Sequence, residues 1–377
     1  DNQSVVQVGT STVYQLNVTN LGTLTDTITL TIDNPTTWRA NFNDNSPAKA
    51  ASRGLDDSGS TRGKGVSGYH NFTEIEAALN QMLVDYPGIC NLTSLGQSWE
   101  GRELWCMKVS DNPDVDESEP EVLIMGLHHA REWMTFEVAL YYLHWLTDNY
   151  GSDAEATWLV DNREIYVVPV VNPDGLEYSQ YVDNMWRKNR RDNGDGTYGV
   201  DLNRNYDGAQ NGDPNGDWGG AGASHITSDD TYCGPAPFSE PETRAFDRFV
   251  SAHDFILSLN YHTSGGMILY CPGTYPDPVA DTELMREIAL AYQARQFDKY
   301  DVFPAIDLYP TLGALDDYLY HHYGILAFTV EVGTNMEKRG VIPRNGTFSP
   351  IFWAYNVYYL EREKANNIPG ALEMISW

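Results

Sequence analysis

Basic residues are scarce in this chain of 377 residues. Lys and Arg together number 24, and only seven of these are Lys, against 53 Asp and Glu. The formal net charge is −29 at pH 7, and the pI is near 4.4. Proteins that bind nucleic acid need cationic side chains to neutralise the phosphates, so this composition argues against a nucleic-acid partner. An acidic, well-solvated surface fits a highly soluble protein.

Long apolar runs are also missing. No segment approaches the roughly 18–20 consecutive apolar residues of a membrane span, so the sequence predicts no spanning helix. No signal peptide is recognisable at the first residues, which leaves either a mature secreted chain or a cytoplasmic one. No internal repeat is visible, which argues against a solenoid or another repeat architecture.

Cysteines are few: Cys90, Cys106, Cys233 and Cys271. None lies in a CxxC pair, which argues against a structural zinc finger. Cys90 and Cys106 flank a predicted hairpin at nearly opposite positions, so we predict a disulfide between them; pairing of Cys233 with Cys271 would follow only by elimination. Two disulfides would require an oxidising compartment. We therefore expect a secreted protein in its mature form.

The pattern of the chain divides it into three parts. Residues 1–43 alternate as strands do and resemble part of an immunoglobulin-like module. Residues 44–68 are rich in small and polar residues without periodicity, and we interpret them as a linker. From 69 to 377, helical patterns alternate with apolar strand patterns, which predicts an α/β domain with a mixed, mostly parallel sheet flanked by helices. In such sheets, sites gather at the carboxyl ends of the strands.

One stretch organises this last part, EVLIMGLHHAREWMT at 121–135. A short apolar strand pattern ends at Gly126, two histidines follow, and helical periodicity then begins. His129 and Glu132 stand three positions apart, so an imidazole and a carboxylate can converge on one cation. That pair suits a catalytic zinc with an open coordination position. His128 is a third candidate ligand within the same five residues.

Two later strand patterns also end in functional side chains. His262 closes FILSLNYH and is the candidate third ligand, although a lone histidine there is more often structural. Glu331 closes ILAFTVE, where an unpaired buried carboxylate would be costly. A general base is a role that fits this position, and a salt-bridged structural Glu is the alternative. Arg204 lies between two asparagines and offers a planar fork suited to bidentate recognition of a carboxylate.

These motifs together resemble the zinc metallocarboxypeptidase family of carboxypeptidases A, B and T. The resemblance covers about residue 69 to the C-terminal helix, and its specificity lies in the order and spacing of the set. The motifs are HARE at 129–132, NPDG at 172–175, WRK at 186–188, DLNRN at 201–205, FSEPET at 238–243, His262, and TVE ending at Glu331.

The resemblance implies one catalytic Zn²⁺ held by His129, Glu132 and His262. It implies that Glu331 is the base that activates the attacking water and then passes the proton to the leaving amine. Arg187 would stabilise the oxyanion together with the metal, a kind of electrostatic contribution that is often large in acyl transfer.

The resemblance also implies residues that bind the substrate's free C-terminus. Asn203 and Arg204 would hold the terminal carboxylate, and Arg131 would line the path towards it. Asp201 would accept the second N–H of a zinc-binding histidine, the usual outer-shell arrangement. The tyrosine that closes over substrate in this family falls on Tyr309.

Specificity would depend on Asp316, which aligns with the floor of the specificity pocket. A carboxylate there favours C-terminal Lys or Arg, as in B-type enzymes, by charge pairing in a desolvated pocket. Asp317 competes for this assignment, since an aspartate with a structural role also falls in the pair. The chain departs from the family after His262, where Thr263 and Ser264 replace the usual Ser-Tyr and remove one substrate-contacting tyrosine.

Two acidic loops, at 192–196 and 211–217, carry oxygen ligands at alternate positions and are candidates for a structural Ca²⁺. Ordinary turn chemistry explains the same Asn, Asp and Gly residues.

The sequence thus predicts a zinc-dependent exopeptidase, expected to be monomeric, that acts on peptides and proteins with a free C-terminus and prefers Lys or Arg or is broad. Three alternatives remain: an amidase or deacylase of the same fold, a non-catalytic binding module, and a structural or adhesive role led by the β-rich N-terminus. The carboxylate-reading group of Asn203, Arg204 and Tyr309 argues against the amidase.

Overall fold

The computed structural model of the chain describes residues 68–207, 218–275, 278–334 and 357–377. These residues all belong to one compact unit. The β-rich segment predicted at 1–43 and the linker predicted at 44–68, apart from Gly68, lie outside the described residues. Both therefore stay predictions.

A single mixed sheet forms the centre of the described part. Its eight strands are β1 (Cys90–Gln97), β2 (Glu103–Val109), β3 (Glu121–Gly126), β4 (Glu164–Val168), β5 (Phe255–Gly265), β6 (Met267–Tyr270), β7 (Asp301–Pro304) and β8 (Leu326–Thr334). Their order is β1-β2-β4-β3-β5-β8-β6-β7. Strand β3 runs parallel to β4 and β5, β5 to β8, and β6 to β7, while the other neighbours are antiparallel. The predicted α/β fold with a mixed sheet is confirmed.

Helices alternate with these strands along the described ranges. They are α1 (Phe72–Asp85), α2 (Met134–Asn149), α3 (Ala154–Val160), α4 (Pro173–Tyr181), α5 (Pro241–Val250), α6 (Thr282–Arg295), α7 (Leu315–Tyr323) and α8 (Val357–Ile375). None of these helices is long and apolar enough to cross a membrane. The sequence did not predict α4. The residues NPDG start this helix and do not form an isolated turn. The Asn172 side chain caps the helix by accepting a hydrogen bond from Gly175 N at 2.9 Å, and Pro173 occupies the first turn.

Strand β3 is buried on both faces, as its apolar run indicates. Val122 and Ile124 pack into one hydrophobic cluster, which includes residues of α1, α2, α6 and α8. Leu123 and Met125 pack into a second cluster on the other face, which includes residues of α5 and α7. The sheet is therefore covered on both sides, and the strand ends are the places where polar side chains can gather.

The carboxyl ends of β3, β5 and β8 lie side by side. Gly126 stands opposite Tyr261, and His262 stands opposite Glu331 in the next pairing. Parallel pairing thus brings the ends of the three predicted motifs together, although they are separated by about 130 and 70 residues along the sequence.

The exit from β3 is tightly constrained. A Cβ at Gly126 would lie 2.9 Å from Pro169 O and 3.0 Å from Thr135 O, so only glycine fits without a backbone shift. Leu127 then adopts a left-handed conformation with φ of 58°, which costs a branched residue roughly 1–2 kcal/mol. Its amide donates to Thr135 Oγ1 at 2.9 Å. This turn delivers the histidines that follow to the strand edge.

The predicted disulfides are wrong, because all four cysteines are free and buried. Cys90 lies opposite Val109 in the β1–β2 ladder, not opposite Cys106. Burial raises the pKa of Cys90 to about 12 and that of Cys233 to about 11, so these thiols are protonated at neutral pH. Cys271 is likewise unpaired with Cys233. The cysteines therefore give no support for an oxidising compartment.

Candidate metal centre

Three buried side chains converge at the strand ends. Nδ1 of His129 lies 2.8 Å from Glu132 Oε1, and Nδ1 of His262 lies 3.0 Å from Glu132 Oε2. The two imidazole Nδ1 atoms are 3.1 Å apart. The structure therefore brings together the three side chains predicted as metal ligands.

The donor set of this cluster fits a zinc ion. Two imidazoles and one carboxylate are the protein ligands of several catalytic zinc sites, and ligand atoms at about 2.0–2.1 Å from a tetrahedral ion lie roughly 3.3 Å from one another. The observed separations of 2.8–3.1 Å are close to that value. Burial alone would raise the pKa of Glu132, but His129 and His262 outweigh it and hold the pKa well below its usual range. The carboxylate is thus a ready anionic ligand.

Asp201 connects the cluster to the neighbouring loops. Its Oδ1 lies 3.2 Å from His129 Nε2 and accepts Asn203 N at 3.0 Å. Its Oδ2 accepts Arg187 Nε at 2.9 Å and Nη2 at 2.8 Å. Asp201 is fully buried, which would raise its pKa, but Arg187, His129 and Arg204 outweigh burial and hold the pKa well below the usual range. An ionised carboxylate therefore lies beside His129, where an outer-shell partner of a metal-binding histidine is expected.

Asn260 and Asp316 lie behind His262. The amide nitrogen of Asn260 is 3.0 Å from His262 Nε2, and within the described residues Asn260 Oδ1 and Asp316 Oδ1 lack hydrogen-bond partners. A ring that offers Nδ1 as a lone pair carries its proton on Nε2. The opposite amide orientation of Asn260 lets Nε2–H donate to Oδ1 and the amide N–H donate to Asp316. In that orientation, Asp316 and Asn260 would hold the second imidazole with its proton on Nε2.

His128 does not join the cluster. It is fully buried, its Nε2 lies 3.0 Å from Tyr206 Oη, and its ring stacks on His262 with centroids 5.6 Å apart. Burial lowers its pKa well below the usual range, so the ring is neutral at pH 7. Of the two adjacent histidines, His129 is the one placed among the candidate ligands.

Glu331 lies on β8 beside His262 and is only partly exposed. Burial raises its pKa to about 8; Glu132 adds to this rise, while His262 and Arg187 oppose it. A divalent cation held by the neighbouring cluster would also oppose it, because positive charge favours the ionised carboxylate. This carboxylate has the raised, adjustable pKa of a proton acceptor.

The second group of predicted residues surrounds Arg204. This buried guanidinium donates from Nε to Gly222 O at 2.9 Å and from Nη1 to Asn203 O at 2.7 Å, and it lies 6.0 Å from the Tyr309 ring centroid. Asn203 Oδ1 accepts Leu315 N at 2.9 Å. The backbone thus fixes both side chains, while Tyr309 is 49% exposed.

Arg131 contacts the loop that contains Met185. Its Nη1 donates to Met185 O at 3.0 Å and to Asp230 Oδ2 at 3.1 Å. The loop that contains Met185 leads into Arg187, so both arginines border the same segment. Arg131 is partly exposed and lies one residue from Glu132.

Two adjacent aspartates on α7 play different structural parts. Asp317 accepts Gly273 N at 2.9 Å and Thr274 Oγ1 at 2.8 Å, so it supports a loop. Asp316 hydrogen-bonds Thr329, and burial raises its pKa to about 6. No Lys or Arg in the described ranges forms an ion pair with Asp316.

Calcium is not supported. In the loop at 192–196, Asp192 accepts Gly194 N at 2.8 Å and Asp195 accepts Thr197 N at 2.9 Å, which is ordinary turn chemistry. The second candidate loop, 211–217, lies outside the described residues.

Sequence reasoning missed Asn260 as part of the site. The signal was present, because Asn260 stands two residues before His262 and side chains at that spacing share one face of a strand. A buried amide in an otherwise apolar strand needs a partner, and His262 and Asp316 are its partners here.

Comparisons with known proteins agree with this geometry. A family model described as zinc carboxypeptidase matches residues 75–354. A zinc carboxypeptidase of Saccharothrix mutabilis subsp. capreolus is 34% identical over 293 residues, covering 74% of this chain and 65% of that protein. Carboxypeptidase A2 of Rattus norvegicus is 31% identical over 259 residues, covering 67% of this chain and 59% of that protein. The chain therefore spans less than two thirds of the length of these relatives.

A solved structure resembles the fold over most of the chain. The crystal structure of carboxypeptidase A from Helicoverpa armigera superposes with a TM-score of 0.70 at 25% identity, covering 82% of this chain and 74% of that one.

The contacts of Asp201 predict its effect on metal affinity. In Asp201→Asn, His129 and Arg187 lose an anionic partner, so we expect the affinity for Zn²⁺ to fall by roughly 10- to 100-fold. Competition with a chromophoric chelator measures it. Asp230→Asn is the matched control, since it removes a carboxylate that is 62% exposed and that pairs with Arg131 rather than with a candidate metal ligand. Equal affinities for Asp201→Asn and the unchanged protein would contradict the orienting role of Asp201.

Proposed function

The chain belongs to the zinc carboxypeptidase family, and from this premise we propose that it is a metallocarboxypeptidase that hydrolyses the C-terminal peptide bond of peptides and proteins. The main support for the proposal is that the side chains of His129, Glu132 and His262 converge beside Glu331. A non-catalytic module would have no need of a carboxylate with a raised pKa next to three converging candidate ligands.

Glu331 is the proposed general base and general acid. The chemistry supplied by a zinc ion in the cluster would be polarisation of the scissile carbonyl and a lower pKa for the attacking water. Glu331 accepts the proton of that water as its oxygen attacks the carbonyl carbon. It then delivers that proton to the amide nitrogen, and the C–N bond breaks to leave an amine and a carboxylic acid, which loses the second proton of the water to solvent and becomes a carboxylate.

Arg187 is the proposed partner of the developing oxyanion. Asp201 holds its Nε and Nη2, so Nη1 is the donor that this ion pair does not use. A guanidinium fixed before the reaction needs no reorganisation as negative charge develops on the carbonyl oxygen, which is the condition for strong electrostatic stabilisation.

Recognition of the substrate's free carboxylate is assigned to Arg204, Asn203 and Arg131, with Tyr309 closing over it. The hydrogen bonds of Arg204 to Gly222 O and Asn203 O hold its guanidinium in one orientation. Because that orientation is set before binding, little side-chain entropy is lost when the carboxylate arrives. The exposure of Tyr309 is compatible with movement of its ring towards a bound substrate.

We further propose a preference for C-terminal Lys or Arg. The support is Asp316, a buried carboxylate next to Asn260 that forms no ion pair with a Lys or Arg of the described residues. A cationic substrate side chain would supply the missing counter-charge. Secretion, a monomeric state and the roles of residues 1–43 and 44–68 remain predictions.

A release profile is the direct test of the proposed function. We expect a mixed peptide pool to yield free C-terminal amino acids, because the carboxylate-binding group reads a free C-terminus. Prolonged chelation should abolish the release, and added Zn²⁺ should restore it. Amino-acid analysis measures the products. Cleavage of acylated substrates without amino-acid release would point to an amidase instead, and release unaffected by chelation would remove the metal from the proposal.

Glu331→Gln tests the proton acceptor. The amide keeps the shape of the side chain but cannot take a proton, so we expect kcat/KM to fall by about 10²–10⁴ with the zinc content unchanged. Glu287→Gln, on the exposed face of α6, controls for the loss of one negative charge. Full activity of Glu331→Gln would disprove the base assignment.

Substrate pairs that differ only in the last residue test Asp316. We expect hippuryl-Arg to be cleaved faster than hippuryl-Phe, and we expect Asp316→Asn to reduce that ratio by roughly 30-fold or more, since a buried charge pair contributes at least about 2 kcal/mol. Ratios of kcat/KM measure it, with Asp301→Asn on β7 as an exposed control. A preference for Phe in the unchanged protein would take Asp316 out of the proposed pocket.

A further inference from the structure

A second cluster of metal-binding side chains lies away from the first. Cys271 directly follows β6, and Asp317 and His321 stand four residues apart on α7, where side chains at that spacing share one face of the helix. Cys271 Sγ lies 3.0 Å from Asp317 Oδ1 and 3.8 Å from His321 Nε2. One ligand atom from each residue falls within 4.8 Å of the others.

These separations match those around a tetrahedral ion. With Zn–S of about 2.3 Å and Zn–N or Zn–O of about 2.0–2.1 Å, sulfur lies roughly 3.6 Å from a nitrogen or oxygen ligand. The observed 3.8 Å from sulfur to nitrogen is close to this value, and the 3.0 Å from sulfur to oxygen requires a small opening. Cys271 and Asp317 are buried and His321 is partly exposed, so the cluster is reached from one side.

We propose that Cys271, Asp317 and His321 form a second site, which binds a divalent transition-metal ion. Thiolate, imidazole and carboxylate together favour Zn²⁺ or Co²⁺ over Ca²⁺ and Mg²⁺, which prefer oxygen ligands only. None of the three residues belongs to the first cluster. The proposal therefore does not depend on the proposed peptidase activity.

Binding exchanges the thiol proton for the ion. In the metal-free protein, the thiol of Cys271 donates to Asp317 Oδ1. When the ion binds, the S–H proton leaves to solvent, sulfur donates its electron pair to the metal, and Asp317 Oδ1 becomes a ligand in place of an acceptor. The charges of thiolate, carboxylate and a divalent ion then sum to zero, which suits a buried position.

The surroundings hold Asp317 ready for this exchange. Its Oδ2 accepts Thr274 Oγ1 at 2.8 Å, and both of its oxygens receive Gly273 N. A Cβ at Gly273 would lie 3.1 Å from Oδ2, so the close approach of this backbone favours glycine. An ion at this point would join the end of β6 to α7, the helix that contains Asp316.

Cobalt distinguishes the two sites, because only the second contains a thiolate. The full chain is first treated with a chelator and then titrated with Co²⁺ under anaerobic conditions. We expect a thiolate-to-cobalt charge-transfer band to appear in the near ultraviolet. The band should be absent from Cys271→Ser and should need at least about tenfold more Co²⁺ in His321→Gln. It should persist in Glu132→Gln, which weakens only the first cluster.

Cys233→Ser is the matched control. Cys233 Sγ also lies 3.8 Å from a histidine nitrogen, Nδ1 of His225, but this pair includes no carboxylate. We expect this variant to retain the band. No band in the unchanged chain, or a band that survives in Cys271→Ser, would overturn the proposal. If Cys271→Ser does not fold, His321→Gln provides the test, because His321 is partly exposed. A Co²⁺ titration of that variant identical to that of the unchanged chain would also overturn the proposal.

Discussion

The candidate site depends on a buried charge that must be compensated. Asp201 has no exposed surface, and an uncompensated carboxylate there would cost several kcal/mol. Its compensators are the side chains of His129 and Arg187 and the backbone amide of Asn203. The proposed chemistry uses His129 as metal ligand and Arg187 as oxyanion partner. One electrostatic requirement therefore gathers two of the proposed functional side chains, from different segments, around a single carboxylate.

The sequence was sufficient for the fold class, and with the family resemblance it named the three side chains that the structure brings together. The short apolar runs of β3, β5 and β8 are local signals. His129 comes three residues after β3, and β5 and β8 contain His262 and Glu331 near their carboxyl ends. Because parallel strands align their carboxyl ends, the placement of His262 beside Glu331 follows from the architecture. The choice of His129 over His128 needed more than the strand pattern. The structure adds the reason, since His128 packs against Tyr206 and His262.

The remaining features depend on partners that a single strand pattern does not specify. Alternation assigns a side chain to a face, but the register of a hairpin sets its neighbour, and the ladder places Cys90 opposite Val109 rather than Cys106. The contact of Asn260 with His262 and Asp316 likewise joins two elements distant in sequence. Side-chain networks of this kind appear only when the packing of several elements is known.

The separation of the ligands along the chain has a consequence for folding. His129 and Glu132 are neighbours, but His262 comes about 130 residues later, and it reaches them only after β5 has paired with β3. Long-range parallel pairing of this kind is slow, because a large loop must close before its contacts form. A chain still being synthesised would thus expose only two of the three candidate ligands. Tight capture of a cation at this cluster would mark the pairing of β5 with β3, which makes metal uptake a reporter of that step of folding.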